Sequence, residues 1–244
     1  MTESRMSPAP EELSPLPAHR ELRSGAWPHA IARSLASARI TANQVSIASL
    51  VFAAIAGWAF WRAGRYPMRA GDLFIFMGDR ARRWRTYSAW WLVLGAAGIQ
   101  LRLLCNLLGR LLAADGGAKT RTSELFNEIP GRIADALILA GAGYALGRTG
   151  WGPALGWSAA VLAVLTAYIR MLGGSLGFVQ DFSGPMAKQH RMFVLTMGAL
   201  VAAMEIAIRG RVTALWIAMV IIVGGTAFTA ALRIARIAQQ VETP

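Results

Sequence analysis

Six apolar stretches dominate this sequence, and each is about as long as a helix needs to cross a lipid bilayer. They cover roughly residues 44–64, 88–112, 133–149, 153–173, 192–208 and 212–232. A helix spans about 30 Å of hydrocarbon with about 20 apolar residues. The composition agrees, since 55% of the residues are hydrophobic and only 16% are charged. The sequence therefore predicts an all-α fold, a polytopic membrane bundle of about six transmembrane helices that forms one domain over residues 28–244.

The first 27 residues differ from the rest of the chain. They contain Pro8, Pro10, Pro15 and Pro17 with mixed charges and little apolar periodicity. Segments of this composition bury too little apolar surface to fold. We therefore expect residues 1–27 to form a disordered cytoplasmic tail. The next segment, WPHAIARSLASARI, has two interpretations: an amphipathic helix in the membrane interface, or a plain lead-in to the first span.

Arginine supplies almost all of the net charge of +12. The basic residues lie mostly at predicted helix ends, where the positive-inside rule and anionic headgroups account for them. This distribution argues against nucleic acid as a partner and places both termini in the cytoplasm. One segment does not fit that orientation, because an arginine-rich basic insertion at about 65–87 then lies on the exterior side.

Polar residues in the region 102–135 fall on two helix faces. Arg102, Asn106, Gly109 and Arg110 have offsets of 0, 4, 7 and 8, and Glu124, Asn127, Glu128, Gly131 and Asp135 have offsets of 0, 3, 4, 7 and 11. Each set is one face of a helix, although Pro130 is expected to kink or restart the second helix. Polar groups at membrane depth are energetically costly, so their presence there indicates a functional site. We therefore predict a hydrophilic cleft at the cytoplasmic surface; the alternative is two solvated helix ends beside a loop.

Several segments of the chain resemble a known family of membrane enzymes. They are ITANQVS, QLRLLCNLL, SELFNEIPGRIADALILAGAGYA and RMLGGSLGFVQDFSGPMAKQHRM, spread over about residues 40–235. On these segments the chain resembles a bacterial branch of the CDP-alcohol phosphotransferase family. The resemblance implies six transmembrane helices in the bacterial cytoplasmic (inner) membrane. It also implies Mg²⁺ or Mn²⁺ as cofactor, a CDP-alcohol and a lipid or alcohol acceptor as ligands, and a homodimer.

The family signature is D-x2-D-G-x2-A-R-x8-G-x3-D-x3-D. Its aspartates hold metal around the CDP diphosphate, and the last one is taken as the base that deprotonates the acceptor. Laid on this chain, the signature falls in order on Asn106, Gly109, Arg110, Ala113, Ala114, Ser123, Asn127 and Gly131. Only Ala113 matches. By resemblance, the first three of these positions, with Ala113, Ser123 and Asn127, line the nucleotide site, and Gly131 occupies the position of the base.

The substitutions weaken the expected chemistry. Hard cations such as Mg²⁺ take oxygen ligands, usually carboxylates, and a general base needs a titratable group. Asn106 and Asn127 offer only neutral oxygens, and Gly131 offers none. Three acids on the same face are weak substitutes: Glu124 and Glu128 as metal ligands, and Glu128 and Asp135 as the base. The alternative is that these acids balance neighbouring arginines.

Arg110 is the most disruptive of these replacements, because it puts a charged side chain where the signature has glycine. A guanidinium matches phosphate geometry, so Arg110 is a candidate to grip a diphosphate in place of metal. Alternatively, it extends to the headgroups.

A second basic group precedes the fifth span. Arg170 lies near the end of the fourth span, and Lys188, His190 and Arg191 follow in QDFSGPMAKQHRM. By resemblance, these residues bind the phosphate of the acceptor. The positive-inside rule alone also predicts basic residues here.

Two functional hypotheses follow from the sequence. The first is a membrane phosphotransferase of phospholipid synthesis, which transfers a phosphoalcohol group from a CDP-alcohol to an acceptor alcohol and releases CMP. The second is a catalytically inactive relative that binds nucleotide, lipid or a partner membrane protein. A transporter is less well supported, because the chain shows no convincing internal repeat.

Overall fold

A computed structural model of the chain describes residues 26–65, 79–115, 123–147, 150–178 and 184–242. These residues contain helices and no strand. In chain order the helices are α1 Ala26–Ser37, α2 Ala42–Ala63, α3 Asp79–Asp115, α4 Ser123–Ala145, α5 Trp151–Ser175, α6 Lys188–Arg209 and α7 Thr213–Glu242. The predicted tail lies outside the described residues except for its last two, and so does the part of the basic insertion from 66 to 78.

The six long helices correspond to the six predicted spans, which confirms the all-α bundle. Five of them are long and apolar enough to cross a membrane, and α4 is the exception. Its helix begins ten residues before the predicted span at 133–149, so its first turns carry the polar residues of the signature-like region. Pro130 lies inside this helix, which runs through it rather than restarting. Residues 79–87 of the basic insertion form the first turns of α3.

The long helices pack as a closed ring. α2 packs against α3 and α4, α4 against α5, α5 against α7, α7 against α6, and α6 against α3. The main apolar core follows these contacts and includes Phe60, Ile99, Ile138, Leu195 and Ile222, each fully buried. Residues whose side chains extend from one helix to a non-adjacent helix therefore lie in the interior of the ring.

Glycines let several helices approach closely. A Cβ at Gly57 of α2 would lie 2.5 Å from the carbonyl oxygen of Leu137 in α4, and one at Gly143 would lie 2.5 Å from Cα of Gly156 in α5. Real Cβ atoms do not approach so closely, so only glycine fits these positions. Small residues at helix contacts are typical of membrane bundles, where close backbone packing replaces the hydrophobic effect.

One end of the bundle carries a cluster of aromatic rings around Arg62, near the end of α2. The Arg62 guanidinium lies 5.9, 5.7 and 5.5 Å from the ring centroids of Trp58, Tyr87 and Trp91, and it donates a hydrogen bond to the Tyr87 hydroxyl. Trp58 and Trp91 pack edge to face at 4.9 Å. Arg62 is thus held by cation–π contacts, which accounts for one of the arginines around the basic insertion.

The other end carries the signature-like region. α2 begins beside Gly109 of α3: a Cβ built at that glycine would lie 3.7 Å from the Val45 side chain. α1 packs at the same end, where Ala32 joins a small apolar cluster with Leu108, while Trp27 stays half exposed. That α1 lies in the membrane interface stays a prediction. That this end faces the cytoplasm stays a prediction.

Candidate functional site

A buried ion pair forms the centre of the polar end. Arg102 of α3 donates a hydrogen bond of 2.5 Å to Asp135 Oδ1 and one of 3.1 Å to the Gly131 carbonyl oxygen, both on α4. The two side chains are 0% and 1% exposed. Since α3 and α4 are not principal packing neighbours, the arginine reaches across the interior of the ring. Asp135 is therefore the counterion of Arg102.

A second, more exposed group lies about two turns earlier on α4. Glu128 receives hydrogen bonds from Arg132, four residues later, and from Arg170 of α5, whose Nη2 lies 3.0 Å from Glu128 Oε1. The Glu128 side chain is 43% exposed. Burial disfavours ionisation of this carboxyl, but the hydrogen bonds and charges of the two arginines outweigh that effect and hold the pKa of Glu128 below its usual range. Glu128 is thus a weak base.

Lys188, the first residue of α6, lies over Gly131. A Cβ at Gly131 would lie 3.2 Å from the Lys188 Nζ. The lysine belongs to a helix that does not pack directly on α4, so it also reaches across the ring. The structure therefore brings together three predicted site residues that are distant in sequence, Gly131, Asp135 and Lys188.

Arg191, predicted to bind phosphate, has a different environment. It is 2% exposed, and its Nη1 donates to the Met186 carbonyl oxygen at 3.0 Å. The Met186 amide in turn donates to Thr229 Oγ1 of α7 at 3.1 Å. Arg191 thus fixes the chain that enters α6. His190 is half-buried beside it.

Sequence reasoning missed Arg233, which lies one residue beyond the predicted span at 212–232. α7 continues to Glu242, and Arg233 is 7% exposed with its Nη1 2.9 Å from the Thr166 carbonyl oxygen of α5. The predicted span ended at 232 because a charged residue normally marks the end of an apolar run. The signal that was available is the series Thr226, Thr229 and Arg233, which places polar groups on one face of an apolar helix.

The remaining predicted site residues are spread around the end of α3. Asn106 is half-buried, Gly109 packs on the first turn of α2, and Arg110 is exposed. The residues predicted to share one face of α3 therefore contact different helices: Arg102 contacts α4, and Gly109 contacts α2. The side chains of Ala113, Ser123, Glu124 and Asn127 lie outside those that the structure describes.

The described part of the site is strongly cationic. Five cations lie in mutual electrostatic range with two carboxylates, which leaves a surplus of three positive charges: Arg102, Arg132, Arg170, Lys188 and Arg191 against Glu128 and Asp135. Fully buried polar atoms at this centre, Arg102 Nε and Nη1 and Asp135 Oδ2, have no hydrogen-bond partner among the described residues. The surplus of positive charge attracts anions such as phosphates.

Comparisons with solved structures find the same fold. The phosphatidylinositol phosphate synthase of Mycobacterium tuberculosis in complex with manganese and citrate superposes with a TM-score of 0.67 at 17% identity, covering 86% of this chain and 88% of that one. The same enzyme with CDP-DAG bound gives a TM-score of 0.62 at 18% identity, covering 86% and 92%. No protein-family profile and no curated protein matches the sequence significantly.

The described side chains do not fit the divalent metal that this fold implies. No group of three His, Cys, Asp or Glu residues among them lies close enough to hold an ion. Asp135 is bonded to Arg102, and Glu128 is bonded to Arg132 and Arg170. Metal ligation by either carboxylate would have to displace a guanidinium, and Gly131 carries no donor side chain.

Proposed function

We propose that this chain is a divergent relative of the CDP-alcohol phosphotransferases and that the polar end of its bundle binds a CDP-alcohol and the phosphate of an acceptor. The observation that carries the proposal is the cationic interior of the ring, built from four helices. It occurs on a fold shared with an enzyme whose structure holds CDP-DAG. By analogy, the reaction would be transfer of a phosphoalcohol group to an acceptor alcohol with release of CMP, in phospholipid synthesis at the bacterial inner membrane.

The residues available to bind such ligands are the half-buried ones. Lys188, Arg132 and Arg170 retain partial exposure, whereas Arg102 and Arg191 are buried and hold the frame of the site. Guanidinium groups bind phosphate oxygens in pairs, and a lysine ammonium adds a mobile point charge. We therefore assign ligand contacts to Lys188, Arg132 and Arg170, and a positioning role to Arg102 and Arg191.

A second candidate is binding without transfer. Its support is the state of the acids: Asp135 is neutralised by Arg102, Glu128 is a weak base, and position 131 has no side chain. A general base must reach the acceptor hydroxyl with a suitable pKa, and neither described carboxylate meets that need. A protein with this site would retain a lipid nucleotide or, as a homodimer or with a membrane partner, regulate an active enzyme.

CMP release distinguishes the two candidates. The protein in liposomes is supplied with a CDP-alcohol, such as CDP-diacylglycerol, and Mg²⁺ or Mn²⁺. Beside it runs a variant with the signature acids restored, Asn106→Asp, Gly109→Asp, Asn127→Asp and Gly131→Asp, together with Arg110→Gly. Release by the unmodified protein supports the transferase. Binding of CDP-diacylglycerol without release supports the inactive relative, and absence of both binding and release contradicts the proposed function.

A further inference from the structure

The Lys188 ammonium occupies the space that a side chain at position 131 would enter. The Nζ lies 3.2 Å from a Cβ built at Gly131, and apart from the two chain neighbours and the helix's own backbone it is the one heavy atom within 4 Å of that point among the described residues. A carboxylate at this position would therefore meet a cation before it met any other group.

The charges around Lys188 favour an anion there. Arg102 and Arg132 act on it as like charges, and its two opposite charges, Asp135 and Glu128, are already bonded to arginines. A divalent cation placed beside Gly131 would be repelled by the ammonium and by both guanidinium groups. A phosphate group in the same place would be attracted by all three.

The unsatisfied polar atoms point the same way. Arg102 is fully buried, and its Nε and Nη1 have no hydrogen-bond partner among the described residues, so that these two donors outnumber the unpaired acceptor beside them, Asp135 Oδ2. Buried donors in folded proteins normally have partners, from protein, water or ligand. Phosphate oxygens that enter beside Lys188 would bring hydrogen-bond acceptors to a centre that has unpaired donors.

We propose that Lys188 takes the place of a divalent cation in this site, so that the diphosphate of a CDP-alcohol binds through ammonium and guanidinium groups without metal. The inference rests on the proposed function for the identity of the ligand. It also explains the glycine at 131, because an aspartate there would form an ion pair with Lys188 and cancel the charge that the diphosphate needs.

Binding of soluble probes tests the proposal directly. Purified protein in nanodiscs is titrated calorimetrically with CDP and with inorganic pyrophosphate, once in EDTA and once in Mn²⁺. We expect the Kd for CDP to agree within about twofold in the two buffers. In EDTA, Lys188→Met should weaken binding at least tenfold, whereas Lys188→Arg should stay within about threefold. Arg209→Met is the matched control, since Arg209 is an exposed cation at the other end of α6.

A manganese titration gives a second readout that does not depend on CDP. The variant with the four restored aspartates is compared with the same variant that also carries Lys188→Met, by electron paramagnetic resonance of free Mn²⁺. We expect the lysine-free variant to bind Mn²⁺ at least tenfold more tightly. Size-exclusion profiles of both proteins show whether each is folded, and Lys188→Gln, which also removes the charge, serves the comparison if Lys188→Met is not.

The outcomes separate this inference from the proposed function. CDP binding that requires Mn²⁺, or that is unchanged in Lys188→Met, overturns the inference. Equal Mn²⁺ affinity of the two restored variants overturns it as well. Metal-free, Lys188-dependent binding of pyrophosphate that is no weaker than that of CDP supports the lysine's role but contradicts the nucleotide as ligand. If neither probe binds, the inference fails, while CMP release in liposomes would still uphold the proposed function.

Discussion

The Arg102 guanidinium and the Asp135 carboxylate meet across 2.5 Å, and neither side chain is exposed to solvent. The pair joins two helices that do not pack directly on each other, so it substitutes for apolar contacts inside the ring. Burying two charges is favourable only when both are paired, and removal of one leaves the other without compensation.

Breaking this pair should destabilise the fold strongly. We expect Asp135→Leu or Arg102→Met to lower the free energy of unfolding by about 3 to 5 kcal/mol, because each leaves the charge of the other residue buried and unpaired. The double variant Arg102→Met with Asp135→Leu should recover most of the loss. Thermal unfolding in detergent micelles measures the effect, with Arg110→Met as the exposed control on the same helix. Additive effects of the two single changes would show that the pair is not energetically coupled.

Glu128 should have a defined pH signature. Its pKa is lowered in the folded protein from the ordinary value of 4.5, so its ion pairs contribute fully above about pH 4.5 and are lost as the pH falls through the lowered pKa. We expect Glu128→Gln to reduce stability by less than about 1 kcal/mol, since the side chain is partly exposed. The difference from the unmodified protein should be constant between pH 7 and pH 5 and should shrink below pH 4.5. A difference that instead grows on acidification would contradict the assignment.

Close packing between α2 and α4 should make Gly57 intolerant of a side chain. A Cβ there would lie 2.5 Å from the Leu137 carbonyl oxygen, and the two backbones would have to separate. We expect Gly57→Ala to cost about 1 to 3 kcal/mol of stability. Gly224→Ala on α7 is the matched control, because a Cβ there meets nothing within 4 Å, and it should be neutral or slightly stabilising. Unfolding temperatures of the two variants in the same detergent give the comparison.

Arg62 should stabilise the aromatic end of the bundle. It contacts the rings of Trp58, Tyr87 and Trp91 and bonds the Tyr87 hydroxyl. We expect Arg62→Met to cost about 1 to 2 kcal/mol and to alter tryptophan fluorescence. Arg65→Met, which removes a cation over the Trp61 ring alone among the described contacts, should have a smaller effect. Equal losses of stability in both variants would show that the three rings around Arg62 contribute no more than the single ring beneath Arg65.

The sequence predicted the helices well because membrane spans are defined by length and apolarity, which are local properties. It also singled out residues that the structure brings together, Gly131, Asp135, Glu128, Arg170 and Lys188, and their role in binding stays a proposal. It did not predict their partners. The spacing of residues along the chain assigns them to a helix face. It does not say which neighbouring helix each residue contacts, and here Gly109 packs on α2 while Arg102 reaches α4. These cross-ring contacts are tertiary and leave no local pattern.

The ends of two helices also differ from the ends of the predicted spans. The predicted span at 133–149 begins ten residues after α4 does, because α4 begins with polar turns, which a search for apolar runs omits. The last predicted span ends before Arg233 because arginine at the end of an apolar run usually meets headgroups. Its burial and its hydrogen bond to the Thr166 carbonyl oxygen show that it lies inside the helical bundle.

The ring has a consequence for how the protein is made. α2, which packs on both α3 and α4, leaves the ribosome first among them, and α6 and α7 come last. The Arg102–Asp135 pair can therefore form within a unit of three early helices, before the second half of the ring exists. A nascent chain thus neutralises its most costly charges during synthesis. The Lys188 ammonium arrives only with α6, and the ring closes when α7 packs against both α5 and α6, so the ligand site should form later in synthesis than the Arg102–Asp135 pair.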